Sequence, residues 1–344
     1  MRNGGKHMNN WQTSSIRRPK CLFWAALLLL TILAAAGSLW LGSVAISPAE
    51  VFSALLGQGG NSTAAKIVLF SRLPRTLAAL LSGAALAVSG AVIQTVLNNP
   101  LASPGIIGVN SGAGLAVALL CAAAPAAQRF SAVAAFIGAL LSVLLVLGLS
   151  ERTGASRITL VLAGVAISNL FSAGIDTVVT FVPDALSGVS DFRIGGFHGV
   201  TMARLTLPAV LIAVSLLAVC SLSQQLDVLA LGSDTARSLG LPVGSVRFLL
   251  LVLAAALSGA AVSFSGLLGF VGLIVPHAMR RLVGADSFPL LAASALGGAC
   301  FVTICDLLAR VLFAPFELPV GVVLAFAGVP FFLWLLFRHR GGRT

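Results

Sequence analysis

Few side chains in this sequence could do chemistry, and most of those are charged. Two arginines flank a proline in Ser71-Arg72-Leu73-Pro74-Arg75-Thr76, and Arg310 follows Asp306 at the i,i+4 spacing of a helical ion pair. Proline suits the first turn of a helix, so Arg72 and Arg75 are expected at the positive end of a helix dipole, where cations are disfavoured. An acidic partner would answer that placement, and so would phosphate headgroups. Asp176 is an ionisable group within a strongly apolar stretch, which makes it a candidate functional residue. Near it, Ser156, Thr159, Ser168, Asn169 and Thr177 offer hydroxyls and an amide that suit a wet pathway and equally suit bonds back to their own helix. His277, next to Pro276, reads as a packing residue near a helix end.

Bond-making machinery is missing from the pattern. There is no G-x-x-x-x-G-K-[ST] phosphate cradle, no G-x-S-x-G elbow, no H-E-x-x-H pair and no paired-carboxylate arrangement. The chain therefore reads as no enzyme, and any ATP hydrolysis must come from a separate subunit. Cys21, Cys121, Cys220, Cys300 and Cys305 are scattered without CxxC spacing, and the 4 histidines form no cluster. Neither a metal site nor a cofactor is expected.

The elements that must position these residues are membrane helices. Of 344 residues, 58% are hydrophobic and 9% charged, where soluble domains carry roughly a quarter charged residues. Mean hydropathy is +1.05. A bilayer core of ~30 Å takes about 20 apolar residues per helix. The runs 22–42, 76–97, 105–124, 131–149, 158–181, 205–222, 247–265, 270–283, 287–307 and 319–337 meet that need, the short 270–283 least well. The predicted fold class is thus an all-α polytopic membrane protein of about ten transmembrane helices. Residues 1–20 read as a basic cytoplasmic tail and 21–340 as one transmembrane domain. The first apolar run is too long for a secretory signal peptide, so it reads as a retained helix.

Ten crossings place both termini on the cytoplasmic side. The positive-inside bias supports this: of 21 Lys and Arg residues, the N-terminal five, Arg152, Arg157, Arg237, Arg247, Arg280, Arg281, Arg338, Arg340 and Arg343 then lie inside. The net charge of +11 is mostly topology, and no basic face interleaved with aromatics suggests nucleic acid.

Self-comparison adds an internal repeat. Leu81-Ser-Gly-Ala-Ala-Leu-Ala-Val-Ser-Gly90 matches Leu257-Ser-Gly-Ala-Ala-Val-Ser-Phe-Ser-Gly266 at seven of ten positions, and the same 176-residue offset carries Pro100 onto Pro276. Five spans separate the copies, so the second crosses in the opposite direction, as in an inverted repeat with halves at about 72–182 and 247–338. Chance similarity within Gly/Ala/Ser/Leu-rich sequence is the alternative. Gly83 with Ala87 and Gly259 with Ser263 give each copy a small-residue face for close helix approach.

One inner segment, 224–247, is long enough to serve as a partner surface. Within it Leu231-Gly232-Ser-Asp234-Thr-Ala236-Arg237-Ser-Leu239-Gly240 reads as a short amphipathic helix. Ser233 or Asp234 would cap it, Ala236 and Leu239 would form its apolar side, and Gly240 with Pro242 would stop it.

Six ordered segments together resemble the permease subunits of ABC importers for ferric siderophores, haem and cobalamin. They are Arg72–Arg75, Ser82–Gln94, Asn99–Val109, Leu229–Val243, Gly269–His277 and Glu317–Gly321. The resemblance implies a permease dimer, either homodimer or related heterodimer, two cytoplasmic ATPase subunits and a substrate-binding protein docking outside. It further implies that Leu229–Val243 is the ATPase coupling element, that Arg72, Arg75 and Arg310 face acidic residues of the binding protein, and that the fifth span lines the pathway. A short outer helix at about Ser190–Phe197 follows from the same resemblance. The basic tail before Arg17 is longer than such subunits need. A secondary transporter is the main competing class, and it would be expected to show paired intramembrane carboxylates where this sequence offers Asp176 alone.

Overall fold

Each predicted apolar run becomes a helix in the computed structural model, which describes residues 20–42, 44–152, 157–312, 314 and 316–340. The basic tail before Lys20 and the pathway candidate Ser156 lie outside the described residues. In chain order the α-helices are α1 (Lys20–Trp40), α2 (Pro48–Leu55), α3 (Thr63–Ile67), α4 (Leu73–Leu97), α5 (Val109–Ala123), α6 (Ser131–Arg152), α7 (Arg157–Phe181) and α8 (Leu186–Ile194). They continue as α9 (Met202–Ser221), α10 (Ser223–Ala230), α11 (Ser233–Ser238), α12 (Val243–Ser265), α13 (Val271–Val283), α14 (Ser287–Val311) and α15 (Val320–Arg340). Among the described residues, seven helical stretches are long and apolar enough to cross a bilayer, with α5 and the first part of α15 shorter apolar helices beside them. The weakest expected span, 270–283, is the 13-residue α13.

The core is built where small residues let backbones touch. α4 lies at the centre, against α14, α12 and α13. Gly83 on α4 faces Gly298 on α14 so closely that a Cβ on either would overlap the other's carbonyl oxygen, and a Cβ on Gly90 would likewise overlap the carbonyl of Gly272 on α13. Gly112 and Gly138 bring α5 and α6 together. Lipid tails give no hydrophobic drive for helix association, so dispersion between backbones at van der Waals contact and buried bonds such as Ser89 Oγ–H to Ala254 O (2.7 Å) must hold the bundle. The periphery is apolar instead: α1, α7 and α9 expose Leu28, Leu29, Leu162, Leu170, Leu207 and Leu217.

Packing partners exchange between the copies of the repeated motif. α4 lies on α14 as α12 lies on α6, α5 on α6 as α13 on α14, and α13 on α4 as α5 on α12. The local register does not extend as far as the sequence suggested. Pro100 falls in the turn after α4, where Asn98 takes a left-handed φ of 48° and Asn99 Oδ1 accepts from Leu101 N–H, whereas Pro276 lies inside α13.

The helix starting at Pro74 also departs from expectation. It is not a free helix start: α3 runs through a π-helical turn, Val68–Arg72, directly into α4. Pro74 has no N–H to give and its ring crowds the carbonyl four residues back, and a widened turn absorbs both. Arg72 and Arg75 therefore sit inside one long helical run, away from a dipole end.

Candidate functional site

Three arginines that the sequence left scattered converge at one end of the bundle. Arg75, on the first turn after the π-helical segment, reaches α14 and grips Asp306 with Nε 3.1 Å from both carboxylate oxygens and Nη2 3.0 Å from Oδ1. Its remaining Nη1 lies 2.6 Å from Glu317 in the α14–α15 connection. Asp306 Oδ2 also lies 3.3 Å from Arg310 Nε, which is the ion pair the i,i+4 spacing predicts. Arg310 Nη2 goes on to donate to Ser38 O (3.1 Å) and Ser38 Oγ (2.8 Å) at the end of α1. Arg72 takes no carboxylate. Its guanidinium donates to the carbonyls of Leu39, Trp40 and Val44, closing the C-terminal end of α1, and it lies flat against Gly42.

This burial revises the expected arrangement of outer cations. Arg72 and Arg310 are 4% and 3% exposed, so neither offers its charge directly to a partner protein. Among the described residues Asp306 and Glu317 pair with Arg75 and Arg310, and of the three guanidiniums that of Arg75 comes nearest the surface. A small cavity opens there, lined by Phe70, Ser71, Arg75, Phe197, His198 and Glu317. His198 Nδ1 stands 3.5 Å from Glu317. Burial alone would raise the Glu317 carboxyl, but the hydrogen bond and charge of Arg75 more than offset it and hold Glu317 below the usual carboxylate value.

His198 reaches this spot because the chain after α8 is pinned. Gly196 N–H donates to Ser265 O at 2.7 Å, Leu267 N–H donates to Phe192 O at 2.9 Å, and Gly195 at φ 69° fits against the Leu267 backbone where a Cβ would collide. The short helix expected at 190–197 is α8, four residues earlier at its start, ending at Ile194.

On α7 the pathway candidates split by face. Asn169, Asp176 and Thr177 are exposed, on a stripe shared with Leu162, Ala166, Ala173 and Thr180, while Thr159 is half-buried. Thr177 bonds back to Ala173 O at 2.8 Å. Ser168 points inward instead, 3.2 Å from Ser111 Oγ on α5. Asp176 has the partner its own neighbourhood in sequence did not supply: Arg193 of α8, 3.3 Å away and likewise exposed.

At the opposite end, the inner segment forms two helices, α10 and α11, bent at Gly232 (φ 107°) and closed by Gly240 (φ 82°). Two expectations change. Gly232 occupies the cap of α11 with no side-chain bond, so neither Ser233 nor Asp234 caps it; Ser233 Oγ instead accepts from Arg247 at 2.9 Å. Ala236 is fully buried against the bundle, leaving Leu231 and Leu239, both more than half exposed, as the apolar surface. Asp234 and Arg237 pair on the outside at 3.5 Å. A residue the sequence reading missed, Asp227, ties this segment down: its Oδ1 accepts from Ser287 N–H at 2.8 Å, at the very start of α14.

Residues 27–338 match the FecCD transport family. The chain belongs to that family. Similar FecCD relatives include the hemin transport system permease of Yersinia pestis, 39% identical over 95% of this chain and 98% of the relative. The iron(3+)-hydroxamate import system permease of Bacillus subtilis is 38% identical over 92% of this chain and 83% of its own length. The vitamin B12 import system permease of Citrobacter koseri is 40% identical, covering 92% and 94%. Among solved structures, an inward-facing metal-chelate type ABC transporter superposes with a TM-score of 0.80 at 31% identity, covering 93% of this chain and 99% of that one. Permease subunits of ABC importers thus share both sequence and architecture with this FecCD chain. Glu317 and Ser38 completed its arginine cluster without being singled out beforehand; the only sequence signal was Glu317 standing in a segment shared with the family.

Proposed function

We propose that this chain is the membrane-spanning subunit of an ATP-driven importer for a bulky metal chelate, a ferric siderophore first and haem or cobalamin beside it. The substrate classes are those named for its relatives. The observation that carries the reading is α14, which links two surfaces at opposite ends. One end is fixed by Asp227 of the α10–α11 segment and the other holds Asp306 and Arg310. At 1.5 Å per residue this helix of 25 residues is about 37 Å long, enough to connect the two faces of a membrane as one rigid rod.

In this reading the α10–α11 surface, with Leu231, Leu239, Asp234 and Arg237 outermost and Gly232 and Gly240 shaping its bends, seats in a separate ATPase subunit on the cytoplasmic side. The arginine end faces outward, where an acid on a substrate-binding protein competes with Glu317 for Arg75. Arg72 and Arg310 act from behind by fixing α1 and by raising the local potential. Two copies of the chain, or this chain and a related one, set their α7 stripes of Asn169, Asp176 and Thr177 about a common pathway. ATP-driven closure below shifts which side of the dimer is open, so the permease supplies two states and no chemistry. Both termini lie in the cytoplasm of a bacterium, with the bundle in its inner membrane. The two copies of the internal repeat, about 72–182 and 247–338, form the halves of one transmembrane domain.

Two experiments test this. A strain lacking the chain is complemented and offered labelled ferric siderophores, haem and cobalamin: uptake of one class, lost again on depleting ATP, is the expected result. Concentrative uptake by the purified chain alone in liposomes, without ATP or any companion, overturns the proposal. For the inner surface, Leu231→Asp with Leu239→Asp should release the ATPase from the purified complex, and stoichiometric retention would remove the coupling assignment.

A further inference from the structure

Two cations at the arginine end have no acid to answer them. Arg129 lies in the 3-10 turn Pro125–Phe130 that leads into α6, and Arg204 lies in the first turn of α9. Both stand at the positive ends of helix dipoles, and neither takes part in an ion pair among the described residues. Asp191 borders a neighbouring polar cavity together with Arg204 but makes no ion pair with it. Electrostatics thus places four positive features together, two exposed guanidiniums and two helix starts, with Arg129 also 4.9 Å from the centre of the Phe130 ring.

What lies beneath them identifies the anion's other half. A cavity of about 200 Å³ is lined by Arg129 and Arg204 together with Val133, Phe136, Leu207, Pro208 and Leu211. These apolar residues follow the two arginines by one and two helical turns along α6 and α9, so a charged head leads into an apolar trough about 11 Å deep. Val133 and Leu207 are 44% and 60% exposed, so the trough opens sideways onto the apolar flank of the bundle. Pro208 cannot donate to the carbonyl of Arg204, which leaves one more gap in the α9 wall.

We propose that this groove holds an anionic phospholipid from the leaflet at the arginine end, with its phosphate on Arg129 and Arg204 and an acyl chain along Val133, Phe136, Leu207 and Leu211. A free phosphate would use the arginines and leave the trough empty. A zwitterionic lipid would fill the trough and leave the paired positive charge unbalanced.

Native mass spectrometry of the full-length chain tests this without reference to transport. Phosphatidylglycerol and phosphatidylcholine of identical acyl chains are titrated in turn, and glycerol 3-phosphate serves as the soluble headgroup. The expected result is about tenfold stronger retention of phosphatidylglycerol, the attraction of two arginines being partly offset by screening. Arg129→Gln with Arg204→Gln should abolish that preference. Leu207→Trp, which fills the trough and leaves both arginines in place, should weaken retention of both lipids. An unchanged preference in the double variant overturns the proposal, as does displacement of phosphatidylglycerol by glycerol 3-phosphate or lipid retention unaffected by Leu207→Trp.

Discussion

Asp306 is fully buried and answers two guanidiniums, Arg75 and Arg310, of which Glu317 pairs with Arg75 alone. Breaking a buried pair from one side leaves an uncompensated charge and costs about 3–5 kcal/mol. Asp306→Asn should therefore lower the thermal unfolding midpoint in detergent sharply, whereas Asp234→Asn, in an exposed pair, should leave it nearly unchanged. Glu317 makes a second residue-level prediction, through pH. Its folded-state carboxyl titrates below the ordinary value, so the stability it contributes is present above the unfolded value of about 4.5 and is lost as pH falls through the lower folded value. The difference in unfolding midpoint between wild type and Glu317→Gln should be steady around neutrality and shrink only in strongly acidic buffer. A difference that vanished near neutrality would remove the Arg75–Glu317 pair as its source.

Elements carry these residues, and α14 is the one that joins the two ends. Its first N–H is met by Asp227, a side chain of α10 60 residues earlier in the chain, in the manner of a borrowed cap. Asp227→Ala should cost about 1 kcal/mol of stability, as cap losses do. Its larger effect should be on coupling: ATP hydrolysis by the assembled complex continues while substrate uptake per ATP falls several-fold. Equal loss of hydrolysis and uptake would reduce Asp227 to a structural cap. The π-helical turn before Pro74 matters in the same mechanical sense, because it rotates Arg72 toward α1 and Arg75 toward α14 from positions three residues apart.

At the scale of the whole molecule, the exposed α7 stripe is apolar enough for lipid at Leu162 and Leu170 and polar enough for a pathway at Asn169, Asp176 and Thr177. A dimer that closes and opens about this stripe should allow Thr177→Cys, in a chain whose native cysteines are replaced, to cross-link to its partner with a yield that changes on ATP binding. Ser168→Cys, turned inward against Ser111, should not cross-link. Cross-linking of both at equal yield in every state would dissociate α7 from the interface.

The sequence by itself determined the solvent and the boundaries of the apolar helices to within a few residues, because hydrophobic length is a local property that any window of about 20 residues reveals. It also determined the Asp306–Arg310 pair, which needs only helical periodicity. The tertiary structure alone decided which way each side chain faced. Arg75 meets Asp306 across 231 positions of chain and Arg310 meets Ser38 across 272, distances over which no period or spacing carries information. The same limit explains Ala236, which an amphipathic pattern assigns to a surface and the bundle buries, and Arg72, whose partners are backbone carbonyls common to every residue type. Local hydropathy placed the helices; the close approach of glycine faces, set by long-range packing, placed the charges.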